Sequence, residues 1–442
     1  MLRRFPGIIA VLAVGLAVAA CDRWLGRQEE SPLEGKRIFV LTHEQTKNID
    51  VHAPLPMALP LPRRNKNWPQ SGGYAQHVMH HLEIADSIRQ VWRKKSGRGV
   101  SIHDHTFANF VVAEGRIYMV DAEAVVHALD SRSGTRLWKT NLVPEGTDIL
   151  LAGGIAADEN GRLFVTTGWG DVVALRSDTG TKLWRCSPGG GVPMRAAPTI
   201  SGSRVFIVNK ANEVRAIATE SGDELWHRRG MAEITTMLGG AAPAVEGNAV
   251  VAALSSGELV VLRAENGKQM WHTSVATVRR IGSVANLSDI LAPPVVNNGQ
   301  VYVVGHSGLI IAINLRSGQR LWEVEGGGVH QPWIAGNFVF LLTNDDDLVA
   351  LEAQSGRVLW ITELPRWEKP EDLNGRIYWT GPILAGDRLV IANWHGKVVT
   401  VSPYTGSLLS ERELQAQISL PPVVADGAMY FLTKTGELIA YQ

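Results

Sequence analysis

Histidines and carboxylates are the first residues in this chain whose types and spacing suggest chemistry. His77, His80 and His81 have the spacing of one helix face, and His103 and His105 follow closely. Together they are a candidate metal set, because neutral imidazoles are good ligands for zinc-like ions. No carboxylate or cysteine completes the set, so they are read as solvated or capping histidines and no metal is assigned. Asn344-Asp345-Asp346-Asp347 has the composition of a cation loop. It falls, however, where neighbouring stretches carry Ser256-Gly257 and Ser307-Gly308, which marks it as a turn. No Ser/His/Asp arrangement and no phosphate-cradling glycine loop in a strand–helix context occurs. No catalytic residue is assigned.

The two cysteines differ in meaning. Cys21 follows Val18-Ala19-Ala20, and an apolar run from Ile8 to Ala20 follows Arg3 and Arg4. A basic start, a short apolar core and small residues directly before a thiol form a lipoprotein signal peptide over 1–20, with Cys21 as the lipidated first residue of the mature chain. Each buried methylene of an acyl chain adds about 0.8 kcal/mol of membrane affinity, so several chains hold the protein on a bilayer durably. This makes the protein bacterial, extracytoplasmic and membrane-tethered. Cys186 is then alone, reads as a small packing residue, and no intramolecular disulfide is available. Lys and Arg together match Asp and Glu at 43 each, with no basic stripe, so nucleic acid is not an expected partner.

These residues need elements to position them. Pro32, Pro54, Pro56, Pro60 and Pro62 argue against helices and central strands near the N-terminus. Residues 21–85 are therefore expected to be a lipidated N-terminus and extended linker, with one short extended piece at Arg37–Leu41. The rest, 86–442, repeats one pattern. Ala128 leads through Gly134 to Trp138, Ala174 through Gly180 to Trp184, and Ala216 through Gly222 to Trp226. Val261, Gly267 and Trp271 follow, then Ala312, Gly318 and Trp322, then Ala350, Gly356 and Trp360. Thr400, Gly406 and Ser410 repeat the spacing without the tryptophan, and Trp92 opens the series without its upstream half. A period of roughly 40 to 50 residues is that of a four-stranded propeller blade.

Within one unit, Pro198–Ser201, Val205–Asn209, Glu213–Ala218 and Glu224–His227 read as strands separated by glycine turns. Pro243, Pro293, Pro332, Pro382 and Pro421 are expected to start strands. The last unit supplies three strands, and Ile88–Arg93, carrying Trp92, is expected to complete it. The expected fold is all-β: an eight-bladed propeller of four-stranded antiparallel blades, closed by pairing an N-terminal strand with the C-terminal blade. Trp92, Trp138, Trp184, Trp226, Trp271, Trp322 and Trp360 are structural residues wedged between blades.

The alanine–aspartate–glycine–tryptophan repeat resembles the docking motif of quinoprotein alcohol dehydrogenases. That likeness implies a cation beside a quinone, a strained disulfide of adjacent cysteines, and in some members a haem motif. The cysteine count removes the disulfide, no Cys-x-x-Cys-His occurs, and the long insertions that build a pocket lid are absent. An enzyme is not expected and no cofactor is assigned.

The whole chain resembles the BamB family, lipoprotein subunits of the machinery that assembles β-barrel proteins in the bacterial outer membrane. The resemblance is carried by the lipobox, Leu33-Glu34-Gly35-Lys36-Arg37, Asn67-Trp68-Pro69-Gln70 and all eight units. It implies a non-catalytic scaffold docking on the periplasmic POTRA domains of the barrel subunit BamA. Other assembly lipoproteins and unfolded outer-membrane clients are implied as further partners. The matching contact loops are 187–197, presenting Pro193, Met194 and Arg195, and 279–292, presenting Leu287, Ser288 and Asp289. Leu291 stands where the family pattern has a second acidic residue. Asp22 is a second departure, because in well-studied bacteria this residue retains lipoproteins in the inner membrane. Outer-membrane placement therefore requires a different sorting rule, and without one the protein faces the periplasm from the inner membrane; the functional alternatives are a periplasmic propeller with another partner or a quinoprotein-type dehydrogenase.

Overall fold

The computed structural model describes residues 57–99, 108–148, 153–194, 196–232, 237, 239–275 and 289–442. The expected signal peptide, Cys21, the expected Arg37–Leu41 piece, His103, His105, Arg195, Leu287 and Ser288 lie outside these residues. Among them there is no helix, and eight four-stranded antiparallel sheets carry the fold. Blades one to seven span 111–141, 154–186, 199–229, 244–274, 295–325, 333–363 and 379–413. Blade eight takes three strands from 423–441, and its outer strand is Gln90–Lys95, paired antiparallel with Glu437–Tyr441. The ring is thus closed as the repeat predicts, with the closing strand two residues later than expected.

Observed strands shift slightly from the sequence reading. In blade three they are Thr199–Ser201, Arg204–Val208, Glu213–Ala218 and Glu224–Arg229. Pro382 does not start a strand. It follows a cis peptide at Gly381 inside Trp379–Ala385, where the ladder register breaks between Thr380 and Ile383. A break in the ladder accommodates a residue that lacks an N–H.

The repeated alanine, glycine and tryptophan have one geometric explanation. Across blade one, Trp138 stands opposite Ala128, which stands opposite Tyr118. The small alanine lets the indole reach over to the tyrosine, with ring centroids 6.0 Å apart. Phe164–Trp184, Phe206–Trp226, Tyr302–Trp322, Phe340–Trp360 and Tyr430–Trp92 repeat this pairing. Each tryptophan also docks on the next blade. Trp138 Nε1 donates to the Ser177 carbonyl (3.0 Å), Trp184 to Thr219 (3.0 Å) and Trp226 to Ala264 (2.9 Å). Its ring covers the next blade's turn glycine, where an added Cβ would lie 2.4–2.8 Å from indole atoms throughout the series. Glycine is required there twice over, since Gly180 also has φ +73°.

Blade seven carries Ser410 instead, and the ring's closure explains why. An indole at that position would dock on the turn between the third and outer strands of blade eight. Those two strands come from distant parts of the sequence, with Arg93 and Glu437 separated by 344 residues, so no turn joins them.

The segment expected as a spacer is extended, but from Met57 to Ala85 it is not free. It runs along the inner strands towards their turns to the second strands, meeting the blades in ring order from eight through one to seven. Trp68, Met79, Leu82 and Ile84 are buried in the main core cluster with blades six, seven, eight and one. The inner strand of each blade would otherwise present unpaired backbone groups to the channel. Trp68 exchanges two backbone bonds with Val112 (2.6 and 2.9 Å). Ala157 donates to Pro69, Val245 to Ala75, Val296 to Gln76, Gly386 to Leu82 and Asp426 to Asn65, all at 2.7–2.9 Å. Gln70 bonds both backbone groups of Ile200 through its amide, at 2.7 and 3.0 Å. In blade six, Trp333 Nε1 donates to the His80 carbonyl at 2.7 Å. All eight blades are therefore tied to one strap.

Candidate interaction surface

The strap accounts for the N-terminal histidines. There is no helix face: His77 and His80 have φ values of 63° and 54°, and the backbone winds between blades. His77 is buried, and its Nδ1–H donates to the Pro294 carbonyl at 2.8 Å. Burial pushes its imidazole down to about 4, against the raising effect of that hydrogen bond. His81, also buried, donates from Nδ1 to Pro60 (2.8 Å) and accepts the Asp387 N–H on Nε2 (2.9 Å). His77 and His81 are thus structural pins rather than solvated groups. Among the described residues, no three His, Cys, Asp or Glu side chains converge on a metal-sized site.

The 343–346 segment is a turn, closed by Asp346 N–H donating to Thr343 at 3.0 Å. The carboxylates of Asp346 and Asp347 face inward, while Asp345 is exposed. Asp346 lies 2.6 Å from Arg376 and Asp347 lies 3.7 Å from Arg366. Arg376 belongs to a hairpin, Trp367–Lys369 with Asn374–Arg376, that the sequence reading did not anticipate. Its guanidinium also stacks over Trp367 and Tyr378 at 5.4 and 5.7 Å. Cys186 has the environment of a packing residue, with burial and then Asp171 pushing its thiol up to about 11.

The channel end opposite the strap carries the connections from each outer strand to the next inner strand. Between the strap and this end, Trp68 of the strap and Trp333, stacked at 6.1 Å, line a cavity of about 240 Å³ together with Pro293, Pro382, Pro421 and Pro422. Around it, carboxylates at the starts of third strands are held by basic side chains of outer strands. Asp171 pairs with Arg185 and Ser187, and Arg185 also donates to the Leu142 carbonyl at 3.0 Å. Glu213 is buried between Arg215 and Arg229, each at 2.7 Å, and accepts from Asn209 at 2.8 Å. Burial works to raise its carboxyl, but the bonds from Arg215, Asn209 and Arg229 outweigh it and hold the group at about 2.

The two expected contact loops belong to this end, and the structure redistributes their residues. Met194 is completely buried, packed with Phe164 and Ile207 and bridged antiparallel to Asn209. It supports the loop instead of presenting itself to a partner. Pro193 is half-buried, its carbonyl accepting from Lys210 at 2.8 Å. Asp289 is 1% exposed and accepts the Met237 N–H at 2.9 Å. That bond ties the connection after blade three to the connection after blade four. The exposed methionine beside arginine occurs on that intervening connection, at Met231 (59% exposed), next to Arg228 and Arg229. Sequence reasoning missed it, although Arg228-Arg229-Gly230-Met231 directly follows a repeat tryptophan strand and so had to sit at a blade end. The connections after blades three and four are therefore joined at Met237 and Asp289.

Fold and docking repeat define an eight-bladed β-propeller with quinoprotein-like repeats. The profile of the family described as outer membrane protein assembly factor BamB matches residues 122–362 and 365–442. The chain belongs to that family. Its sequence is 25% identical to the BamB of Yersinia pestis over 364 residues, covering 81% of this chain and 78% of that protein. To the BamB of Escherichia coli (strain K12) it is 30% identical over 151 residues, so the match spans about a third of each, 34% of this chain and 36% of the relative. The crystal structure of BamB from Moraxella catarrhalis superposes with a TM-score of 0.68 at 19% identity, covering 80% of this chain and all of that one. A quinohemoprotein alcohol dehydrogenase from Comamonas testosteroni shares the fold at a TM-score of 0.65 and 15% identity, covering 86% of this chain and 81% of that one.

Proposed function

We propose that this protein is a non-catalytic scaffold of the outer-membrane protein assembly machinery. It is tethered through lipid on Cys21 to the outer membrane, faces the periplasm, and docks on the POTRA domains of a BamA-like barrel subunit. The observation that carries this reading is the family profile's reach across nearly the whole propeller. The docking surface is formed by the connections after blades two, three and four. Arg195 and Met231 supply the recognition chemistry, a guanidinium that can grip a carboxylate in two places and a thioether that adapts to an apolar neighbour. Buried Glu213, paired with Arg215 and Arg229, and the Asp289–Met237 bond anchor the described parts of these connections. Pre-set loops lower the ordering cost of association. Leu287 and Ser288 extend the same surface.

The test is affinity purification of the full-length protein from native membranes in mild detergent, wild type beside Arg195→Glu and Met231→Glu. Co-purification of a POTRA-bearing barrel protein, sharply reduced by either change, supports both role and surface. Retention in both variants removes the surface. Inner-membrane partners alone would mean that Asp22 governs sorting and the assembly role is wrong.

A further inference from the structure

Seven of the eight outer strands dock an indole on the next blade, and the boundary between blades seven and eight does not. Opposite Ser410 stands Thr400, its hydroxyl 2.7 Å from that of Ser410, and opposite Thr400 stands Val390. This row replaces the tryptophan–alanine–aromatic row of blade one. Behind it lies a cavity of about 230 Å³, with Met429, Phe431 and Tyr441 of blade eight forming its far wall. An engineered apolar cavity of about 150 Å³ is enough to take up benzene.

We propose that this seam is a binding site for one planar aromatic group of indole size that carries an N–H donor. The seam keeps the third-strand and neighbouring-blade walls between which the other seven indoles lie, and lacks only the turn that closes those copies, which leaves an opening for a separate ring. In those copies the ring lies between a third-strand alanine (Val261 opposite Trp271) and the neighbouring blade, and its N–H meets an oxygen. At the seam, Val390 and Thr400 supply the near wall and Met429 and Phe431 the far wall. Hydroxyl oxygens of Ser410 and Thr400 are the acceptors within the row. Arg412 lines the same space, already lying over the Tyr441 ring at 5.4 Å and donating to the Ile88 carbonyl at 3.1 Å. A guanidinium fixed beside an aromatic slot favours an electron-rich ring such as indole.

Two sources carry this chemistry, a free indole and a tryptophan side chain within a polypeptide. The full-length protein in detergent is titrated with indole, with acetyl-Thr-Trp-Thr-amide and with acetyl-Thr-Ala-Thr-amide, followed by calorimetry and saturation-transfer NMR. Saturable binding of indole in the millimolar range, or of the tryptophan peptide but not the alanine peptide, supports the site. Tighter binding of the peptide assigns it to a polypeptide, and tighter binding of indole assigns it to a small molecule. Ser410→Trp places an indole in the slot and should weaken either ligand at least tenfold. A photoactivatable indole on the wild-type protein, mapped by mass spectrometry, should label 86–88 or 429–441. Labelling confined elsewhere, binding undiminished in a folded Ser410→Trp, or no saturable binding of either probe overturns the proposal.

Discussion

Trp138 lies flat on Gly180 of the following blade, so that a Cβ on that glycine would come within 2.4 Å of the indole. The same glycine sits at φ +73°. Gly180→Ala therefore meets two penalties, left-handed backbone strain and a clash in a filled interface, together about 3 kcal/mol. Gly202 has φ +59° but nothing within 4 Å of the added carbon, and its alanine variant should lose only about 1 kcal/mol. Urea unfolding of the two variants side by side separates the docking contribution from the backbone contribution.

The strap is expected to stabilise the ring through backbone pairing as well as burial. Trp68→Ala should cost about 3–5 kcal/mol, as for a large aromatic removed from a core. Gln70→Ala should cost about 1–3 kcal/mol because both backbone groups of Ile200 lose their partner inside the protein. Amide exchange should speed up at Val112, Ala157 and Ile200 in the tryptophan variant. Unchanged protection there would mean that the blades do not depend on the strap.

Acid should loosen the strap before it unfolds the blades. His77 titrates near 4 in the folded chain and at 6.5 when solvated. Between those values the unfolded chain takes up a proton that the folded chain refuses, so stability falls as pH drops from about 6.5 to about 4. His77→Gln removes the titrating group. Its stability should be flatter across that window than wild type, measured by thermal midpoint at half-unit pH intervals.

Glu213 acts lower on the scale. Its folded value is about 2 against an ordinary 4.5, so its contribution is complete above 4.5 and is lost as pH falls towards 2. Glu213→Gln should cost about 2–3 kcal/mol at neutral pH. The usual loss for breaking a buried pair is about 3–5 kcal/mol, and here Glu224 still pairs with Arg215. The variant should also lose part of its partner recovery, because Arg229 is no longer fixed.

The alanine, glycine and tryptophan of each unit were legible because one geometric relation, an indole over a small residue and onto a turn, needs all three at fixed separations. Trp92 was readable as a closing strand for the same reason. Ser410 was visible as an exception, but its cause required knowing that blade eight lacks the turn. The strap was not legible. Its bonds to the blades come from backbone groups at irregular intervals, around prolines, and no side-chain period records them. Met194 was misplaced because a methionine between proline and arginine in a loop gives no sign that its neighbours fold it inward. The pairing of Asp346 with Arg376 was hidden because its partner sits on a hairpin too short to show strand alternation.

Closure by distant strands also imposes an order in time. A chain delivered N-terminus first offers Gln90–Lys95 to its surroundings long before Glu437–Tyr441 arrives to cover it. Loop closure over so many residues is slow relative to forming any single blade. Through that interval the nascent propeller is an open arc with a pairing edge at its start, a period in which holding factors protect it or mispairing claims it.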